Sequence, residues 1–359
     1  MIFSRNTAII EFGDSHDECI YSQLRFLNQS KYRVFLISSE KIIKRINFVN
    51  EFEETKSLQF SGNFLKDINI LFSIKKYLIS KRIYFVIFNS ANGLLVRNLS
   101  LILPKKIKQF GILHFVDKLW NSRSQRFITN RISKYFVINE YLKKYVPDKL
   151  KNKTECFYPI FFPRNKQIEI KKPENHLWIA IPGQIEFNKR DYSGLTKLLY
   201  KFRPEPTIKF FLLGNGRDYD GGTVRQIINE NRLNRYFLTF DRYLENELFY
   251  SYLLKCDLIM PLIHPVIPRF ENYMKYQISG NFNLSFGYKI PLFLHTSFAN
   301  FDEFKKASFF YNEDNFAEIL NTILKDISLI TKKSEEIKSE KKYDFEYQRI
   351  NYIRTIENN

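Results

Sequence analysis

Cysteine is scarce in this 359-residue chain: Cys19, Cys156 and Cys256 are its whole complement. They are odd in number, far apart and form no C-x-x-C pair. That excludes a disulfide framework and a cysteine-based zinc site, and it suits a reducing compartment. Long hydrophobic runs are missing too, since no stretch approaches the roughly 20 apolar residues that span a bilayer. The opening Met1-Ile2-Phe3-Ser4-Arg5-Asn6 leads into Ala8-Ile9-Ile10-Glu11 without an apolar core. No signal peptide is therefore expected, and the expected location is cytoplasmic, with the inner membrane face as a resting place. Acidic residues are short in one half only. Residues 1–172 hold 31 Lys+Arg against 14 Asp+Glu, a net +17, whereas residues 173–359 hold 25 against 24, a net +1. The asymmetry points to an anionic partner of the first half, such as a membrane surface or an acidic glycan. Nucleic acid is not expected, because the basic residues are scattered and no stacking motif of an RNA-binding sheet is visible.

Apolar residues are plentiful. At 44% hydrophobic and 17% aromatic, the chain can bury two cores and is too long for one, which makes disorder a poor reading. Apolar runs at 7–10, 33–38, 84–89, 109–114 and 135–139 read as strands, with helical patterns around 20–27, 64–79, 123–132 and 140–145. Pro159, Pro163 and Pro173, interspersed with lysines, mark a linker. A second alternation follows, with strands at 177–182, 208–213, 236–240, 257–260 and 290–294, helices between them and a mostly helical tail from Asn315. Strands alternating with helices predict doubly wound parallel sheets. The expected division is 1–158, a linker at 159–175, a second domain at 176–330 and a helical tail at 331–359.

In such sheets the functional loops lie at the carboxyl ends of strands. In the first half three strand ends are polar: His16 and Glu18 after the first, Asn89-Ser90-Ala91-Asn92-Gly93 after a middle one, and His114 with Asp117 after the next. His16, Glu18 and His114 are the candidates for taking a proton from an attacking hydroxyl. The competing reading is a helix cap at Asp14 or Ser15 and a structural histidine. In the second half three turns place small residues or cations where a strand feeds a helix, a phosphate address. They are Gly183 with Lys189 and Arg190, then Gly214 with Asn215, then Lys275 with Ser279, Gly280 and Asn281. Asp218-Tyr219-Asp220 has the D-x-D form of a metal site, but carboxylates at a helix start are more often caps, so no metal is assigned.

The order of these motifs resembles the donor domain of GT-B glycosyltransferases, the family 4-like group in particular. Gly183-Gln184-Ile185-Glu186-Phe187-Asn188-Lys189 is similar to the family's G-R-x-x-x-x-K loop, and Phe211-Leu212-Leu213-Gly214-Asn215-Gly216 to its strand ending in G-x-G. Gly287-Tyr288-Lys289-Ile290-Pro291-Leu292 resembles the G-x-P-hydrophobic end of its pocket helix. The pattern departs at Gln184, where the family has arginine, and at the paired glutamates, of which only Glu271 has a counterpart. The resemblance implies two Rossmann-like domains facing a cleft and a metal-independent, retaining transfer. The donor would be a nucleoside diphosphate sugar, with no cofactor. A glycan or lipid-linked acceptor in surface polysaccharide synthesis would meet the first domain. It also implies donor contacts from Gly183, Lys189, Arg190, Gly214, Asn215, Glu271, Lys275, Ser279, Gly280 and Asn281. The alternatives are a nucleotide-sugar epimerase of the same fold and a non-catalytic membrane- or nucleic-acid-binding protein.

Overall fold

A computed structural model describes residues 5–62, 64–218 and 220–358. Tyr219, in the middle of the D-x-D, and Met1–Ser4 lie outside the described residues. The chain forms two compact units. The first runs from the N-terminus to Pro163 and includes Lys275–Gln277 and Asp344 to the C-terminus; the second comprises Arg164–Met274 and Ile278–Tyr343. Residues 157–173 carry no regular element, as the prolines dictate. No helix among the described residues is long and apolar enough to cross a membrane.

The first unit is a seven-stranded parallel sheet of β1 (Asn6–Glu11), β2 (Arg33–Ser39), β3 (Glu54–Leu58), β4 (Phe85–Phe88), β5 (Lys108–Leu113), β6 (Ile132–Val137) and β7 (Thr154–Cys156), in the order β3-β2-β1-β4-β5-β6-β7. Ile9 faces Leu36 on one side and Ile87 on the other. Central strands such as Phe85-Val86-Ile87-Phe88 are buried along their whole length. That continuous apolar run is what a strand covered by helices on both faces requires. The edge strands β3 and β7 are short and polar, so no alternation marks them in the sequence.

The second unit repeats the plan with β8 (Leu177–Pro182), β9 (Ile208–Asn215), β10 (Phe237–Phe240), β11 (Leu258–Ile259), β12 (Leu292–His295) and β13 (Ser308–Tyr311), in the order β10-β9-β8-β11-β12-β13. Leu177, Ile179 and Ile181 of β8 pack with Phe210 and Leu212 of β9 and with Leu195 and Leu199 of the Tyr192–Phe202 helix. Strand order reverses between β1 and β4 in one sheet and between β8 and β11 in the other. Each reversal opens a crevice beyond the carboxyl ends of the strands.

The expected tail at 331–359 divides between the units. Its last helix, Phe345–Glu357, is capped by Asp344 and joins the first unit. Tyr352 explains why. Its ring stacks on Phe136 at 4.6 Å and meets Phe26 and Phe157, and its hydroxyl donates to Gln23 Oε1 at 3.1 Å. Tyr352→Ala is therefore expected to destabilise the first unit by ~3–5 kcal/mol and Tyr352→Phe by only ~1 kcal/mol. Denaturant unfolding followed by hydrogen exchange in β1 and β6 measures both. Equal losses for the two variants would contradict the packing role.

Candidate functional site

Both strand-order reversals carry a cluster of polar side chains. In the first unit Glu11 ends β1 and is buried. A buried carboxylate must be paired or well hydrogen-bonded. Glu11 accepts from Gly13 N–H at 2.8 Å, Asn89 Nδ2 at 2.9 Å and Ser90 Oγ at 2.6 Å. Asn89, which follows β4, also donates Nδ2 to His16 O at 2.8 Å and accepts from Gln23 Nε2 at 2.8 Å. Its own carbonyl meets His114 Nε2 at 2.8 Å. A carbonyl only accepts, so Nε2 carries the proton and the His114 tautomer is fixed.

His16 lies at φ 67°, ψ 19°, in the left-handed region. That conformation costs a non-glycine residue ~1–2 kcal/mol and persists where surrounding contacts hold it. Here it lays the His16 ring on that of His114, with centroids 3.7 Å apart and an interplanar angle of 17°. His16 Nδ1 is 3.4 Å from Glu18 Oε1. Burial drives the His114 pKa down, helped by the charge of His16, to about 3, so this ring is neutral at any physiological pH. Burial also lowers the proton affinity of His16, but the hydrogen bond and charge of Glu18, with Glu11 and Asp17 behind, outweigh it and raise its pKa above 6.5. For Glu18 burial acts upward and the His16 contact downward, and the net pKa is below the ordinary value. The Glu18 side chain is 47% exposed, so solvent screens this pairing. The three proton-transfer candidates therefore converge on one rim, where a basic imidazole stands partly open to solvent. Sequence reading passed over Glu11, Gln23 and the central role of Asn89.

In the second unit β8 and β9 end backbone against backbone. Gly183 takes φ 100°, and a Cβ at Gly214 would overlap the Gly183 carbonyl oxygen, so both positions need glycine. Arg190 was expected to face a diphosphate; instead it is buried and turned onto its own loop. Nη1 donates to Gln184 O and Nη2 to Pro182 O, each at 2.6 Å. It staples the loop on both sides of Gly183. Lys189 Nζ pairs with Glu186 Oε1 at 2.8 Å and keeps a partly exposed ammonium. Asn215 braces its turn, donating to Asp218 Oδ2 at 2.7 Å and accepting from Arg217 N–H at 3.0 Å. Asp220 accepts from Phe187 N–H at 2.7 Å and ties the two loops together. The carboxylates of the D-x-D thus hold turns.

The Gly280–Tyr288 helix starts at the same carboxyl edge, because it follows β11. Ser279 caps it, accepting from Asn281 N–H at 3.4 Å. A Cβ at Gly280 would meet no atom within 4 Å. Asn281 is buried, and its Nδ2 has no hydrogen-bond partner among the described residues. An open helix start with an unsatisfied amide beside it suits an anion. Glu271 and Lys275 lie on the Phe270–Lys275 helix. Lys275 opens the Lys275–Gln277 stretch that belongs to the first unit. There Val116 N–H donates to Tyr276 O and Tyr141 OH to Gln277 O, both at 2.9 Å. The structure groups Lys275 with the first unit, whereas Gly183, Lys189, Gly214 and Ser279–Asn281 belong to the second.

Sequence reading also missed a buried relay in the second unit. Asp191 caps the Tyr192–Phe202 helix through Gly194 N–H at 2.7 Å, and its Oδ2 accepts from His264 Nδ1 at 2.7 Å. His264 Nε2 lies 2.6 Å from the Tyr311 hydroxyl. Burial would raise the Asp191 pKa, but the His264 and Gly194 hydrogen bonds outweigh it and keep the carboxylate ionised. Nδ1 is then the donor to Asp191. Burial pushes the Tyr311 hydroxyl well above its ordinary pKa and His295 below its own. The available signal was that His264 follows a strand of the second half and His295 ends one, much as His16 and His114 follow strands in the first.

No protein-family profile matches the sequence, and no curated protein is similar to it in sequence. Solved structures do resemble it over its whole length. A glycosyltransferase from Rickettsia africae has a TM-score of 0.67 at 12% identity, covering 99% of this chain and 100% of that one. HepE of Anabaena, in complex with UDP and glucose, has a TM-score of 0.69 at 10% identity, with the same coverage. The UDP-GlcNAc 2-epimerase of Neisseria meningitidis, bound to UDP-GlcNAc, has a TM-score of 0.56 at 12% identity, again covering 99% and 100%. Two parallel α/β units with these strand orders are the GT-B fold, which glycosyltransferases and UDP-GlcNAc 2-epimerases share.

Proposed function

We propose that the protein is a glycosyltransferase that moves a sugar from a nucleoside diphosphate sugar to a hydroxyl of a glycan or lipid-linked acceptor, in the synthesis of a surface polysaccharide. The observation that carries this reading is the rim of the first unit, where His16 is half open, made more basic by Glu18 and backed by a neutral His114. Transfer to a hydroxyl needs a group that takes its proton, and a raised imidazole at a strand end suits that task. In the second unit the amides of the Ser279-Gly280 helix start, Asn281 Nδ2 and Lys189 are the groups that would meet the diphosphate and stabilise its charge as the glycosidic bond breaks. Arg190 contributes by fixing the loop that presents Lys189. The reading draws on no metal. Its rival is the epimerase, which needs no acceptor.

Calorimetry against a panel of nucleoside diphosphate sugars identifies the donor. Product analysis with and without candidate acceptors then separates the two activities. Conversion of the donor to its epimer without an acceptor would overturn the transferase reading.

Two outcomes are expected of variants. Gly280→Val should leave the thermal midpoint nearly unchanged, since a Cβ at this position meets no atom outside its own turn within 4 Å. It should weaken donor binding at least about tenfold by filling the space a phosphate would occupy. Unchanged affinity would remove the helix start from the site.

The second concerns pH. A base works when deprotonated, so kcat/KM should rise with pH through the His16 pKa, which lies above 6.5. Glu18→Gln removes the main support for the proton and should move that limb to lower pH. The His114 ring nitrogens should keep the nitrogen-15 shifts of a neutral imidazole from pH 8 to 5, because its pKa is about 3. A His114 titration near 6.5 would contradict the assigned roles.

A further inference from the structure

Charge within the first unit is unevenly distributed along the chain. From Ile68 to Asn139 the sequence holds thirteen lysines and arginines and a single carboxylate, Asp117. This stretch builds β4, β5 and β6 and most of the helices Phe64–Ser80, Gly93–Ile102 and Arg123–Arg131, which lie side by side. Right-handed crossovers put these three helices on the sheet face opposite the Ile20–Gln29 and Phe345–Glu357 helices. The acidic residues of the unit belong mainly to the other half of the sheet.

The outer surface of the three helices is also apolar at helical spacing. Phe72 and Ile79 are exposed on the first, Leu94 and Leu101 on the second and Phe127 on the third, with Leu94 60% and Phe127 53% accessible. Both pairs are seven residues apart, so each forms an outward stripe. Lys76, Arg123 and Arg126 stand among them, and Lys105 and Lys106 follow in the next turn. None of these five cations pairs with a carboxylate among the described residues. Trp120 is exposed on the short Lys118–Asn121 helix beside them.

We infer that this three-helix face docks on an anionic bilayer surface. Aliphatic and aromatic side chains enter the boundary between headgroups and acyl chains, while unpaired lysines and arginines meet lipid phosphates. Trp120 is of the residue type that settles at headgroup level. Nucleic acid would satisfy the cations but leave the aliphatic Ile79, Leu94 and Leu101, which cannot stack on bases, in water. The docking goes beyond the transferase reading and does not depend on which reaction the strand ends carry out. It does fit that reading: the helices bearing Leu94 and Trp120 leave β4 and β5 at the ends that carry Ser90 and His114.

The test is co-sedimentation of the full chain with phosphatidylcholine vesicles, with and without phosphatidylglycerol, at about 0.1 M and about 0.5 M salt. It is read together with tryptophan emission. The chain has two tryptophans, and Trp178 is buried in the second unit, so a blue shift on binding reports Trp120. Salt-sensitive binding to the phosphatidylglycerol vesicles with a blue shift is expected. Arg123→Glu with Arg126→Glu, and separately Leu94→Ser with Leu101→Ser, should each weaken it at least about tenfold. The thermal midpoint and donor-sugar binding of both variants should stay as in the wild type. Equal binding to uncharged vesicles, wild-type binding by either variant, or tighter binding to RNA or DNA than to vesicles at matched salt would overturn the proposal. Loss of donor binding in the wild type would instead count against the transferase reading and leave the membrane result standing.

Discussion

Asn89 uses every polar atom it has. Its backbone N–H donates to Ile10 O at 2.9 Å and holds β4 to β1. Its carbonyl sets the tautomer of His114, its amide oxygen accepts from Gln23, and its amide nitrogen is shared by Glu11 and His16 O. A buried amide satisfied on all sides has one orientation, and so do its partners. Three consequences follow from that single rotamer. Glu11 stays hydrogen-bonded in the interior, His16 is held in a conformation it would otherwise avoid, and His114 presents a defined face to the ring stacked on it. Removing the amide would leave a buried carboxylate short of a donor, a change that costs more than the hydrogen bond itself. The support even reaches the C-terminal helix, since Gln23 is in turn held by Tyr352.

The second unit solves the same problem with two adjacent charges of opposite sign. Arg190 points back into the loop and neutralises the carbonyls around Gly183. Asp191 points forward, caps the next helix and anchors His264 and Tyr311. Its N–H donates to Leu262 O at 3.0 Å, so the loops after β8 and β11 are joined by backbone as well. The crevice at this strand-order reversal is therefore lined by loops with little freedom, an arrangement that lowers the ordering cost of binding a ligand there. Glycine at 183 and 214 is part of the same design, because the two strand ends touch through their main chains.

Most of the architecture was legible in the sequence because buried parallel strands are written as apolar runs. Ten of the strands announce themselves in that way. β3, β7 and β13 do not: β3 and β7 are edge strands with polar residues such as Glu54, Lys56 and Glu155, and β13 is a four-residue edge strand too short to stand out. The Gly93–Ile102 helix was hidden behind the turn residues Asn89–Gly93. At the site, His16, Glu18 and His114 could be found because chemistry collects at strand ends. Glu11, Gln23 and Asn89 could not, because their importance lies in pairings 66 and 78 residues apart in sequence. Composition fixes the residue types in the loop from Gly183 to Arg190 but not their rotamers. That is why Lys189 and Arg190 looked interchangeable, although one is partly exposed and the other buried.

The stacked histidines show how burial and proximity divide one task between two like side chains. Two imidazolium rings 3.7 Å apart would repel each other strongly with little water between them, so the pair carries at most one positive charge. Which ring takes it is settled by surroundings. His114 sits in the interior with a carbonyl on Nε2 and, among the described residues, no carboxylate in contact, so protonation there would strand a charge. His16 has Glu18 at its Nδ1 and solvent at its edge. The neutral ring below then serves as a flat, uncharged support that keeps the basic ring in place without competing for its proton. A raised imidazole held in this way, at the reversal point of a parallel sheet, is what the proposed proton transfer from an acceptor hydroxyl requires, and this is why the rim, rather than the fold, carries the proposal.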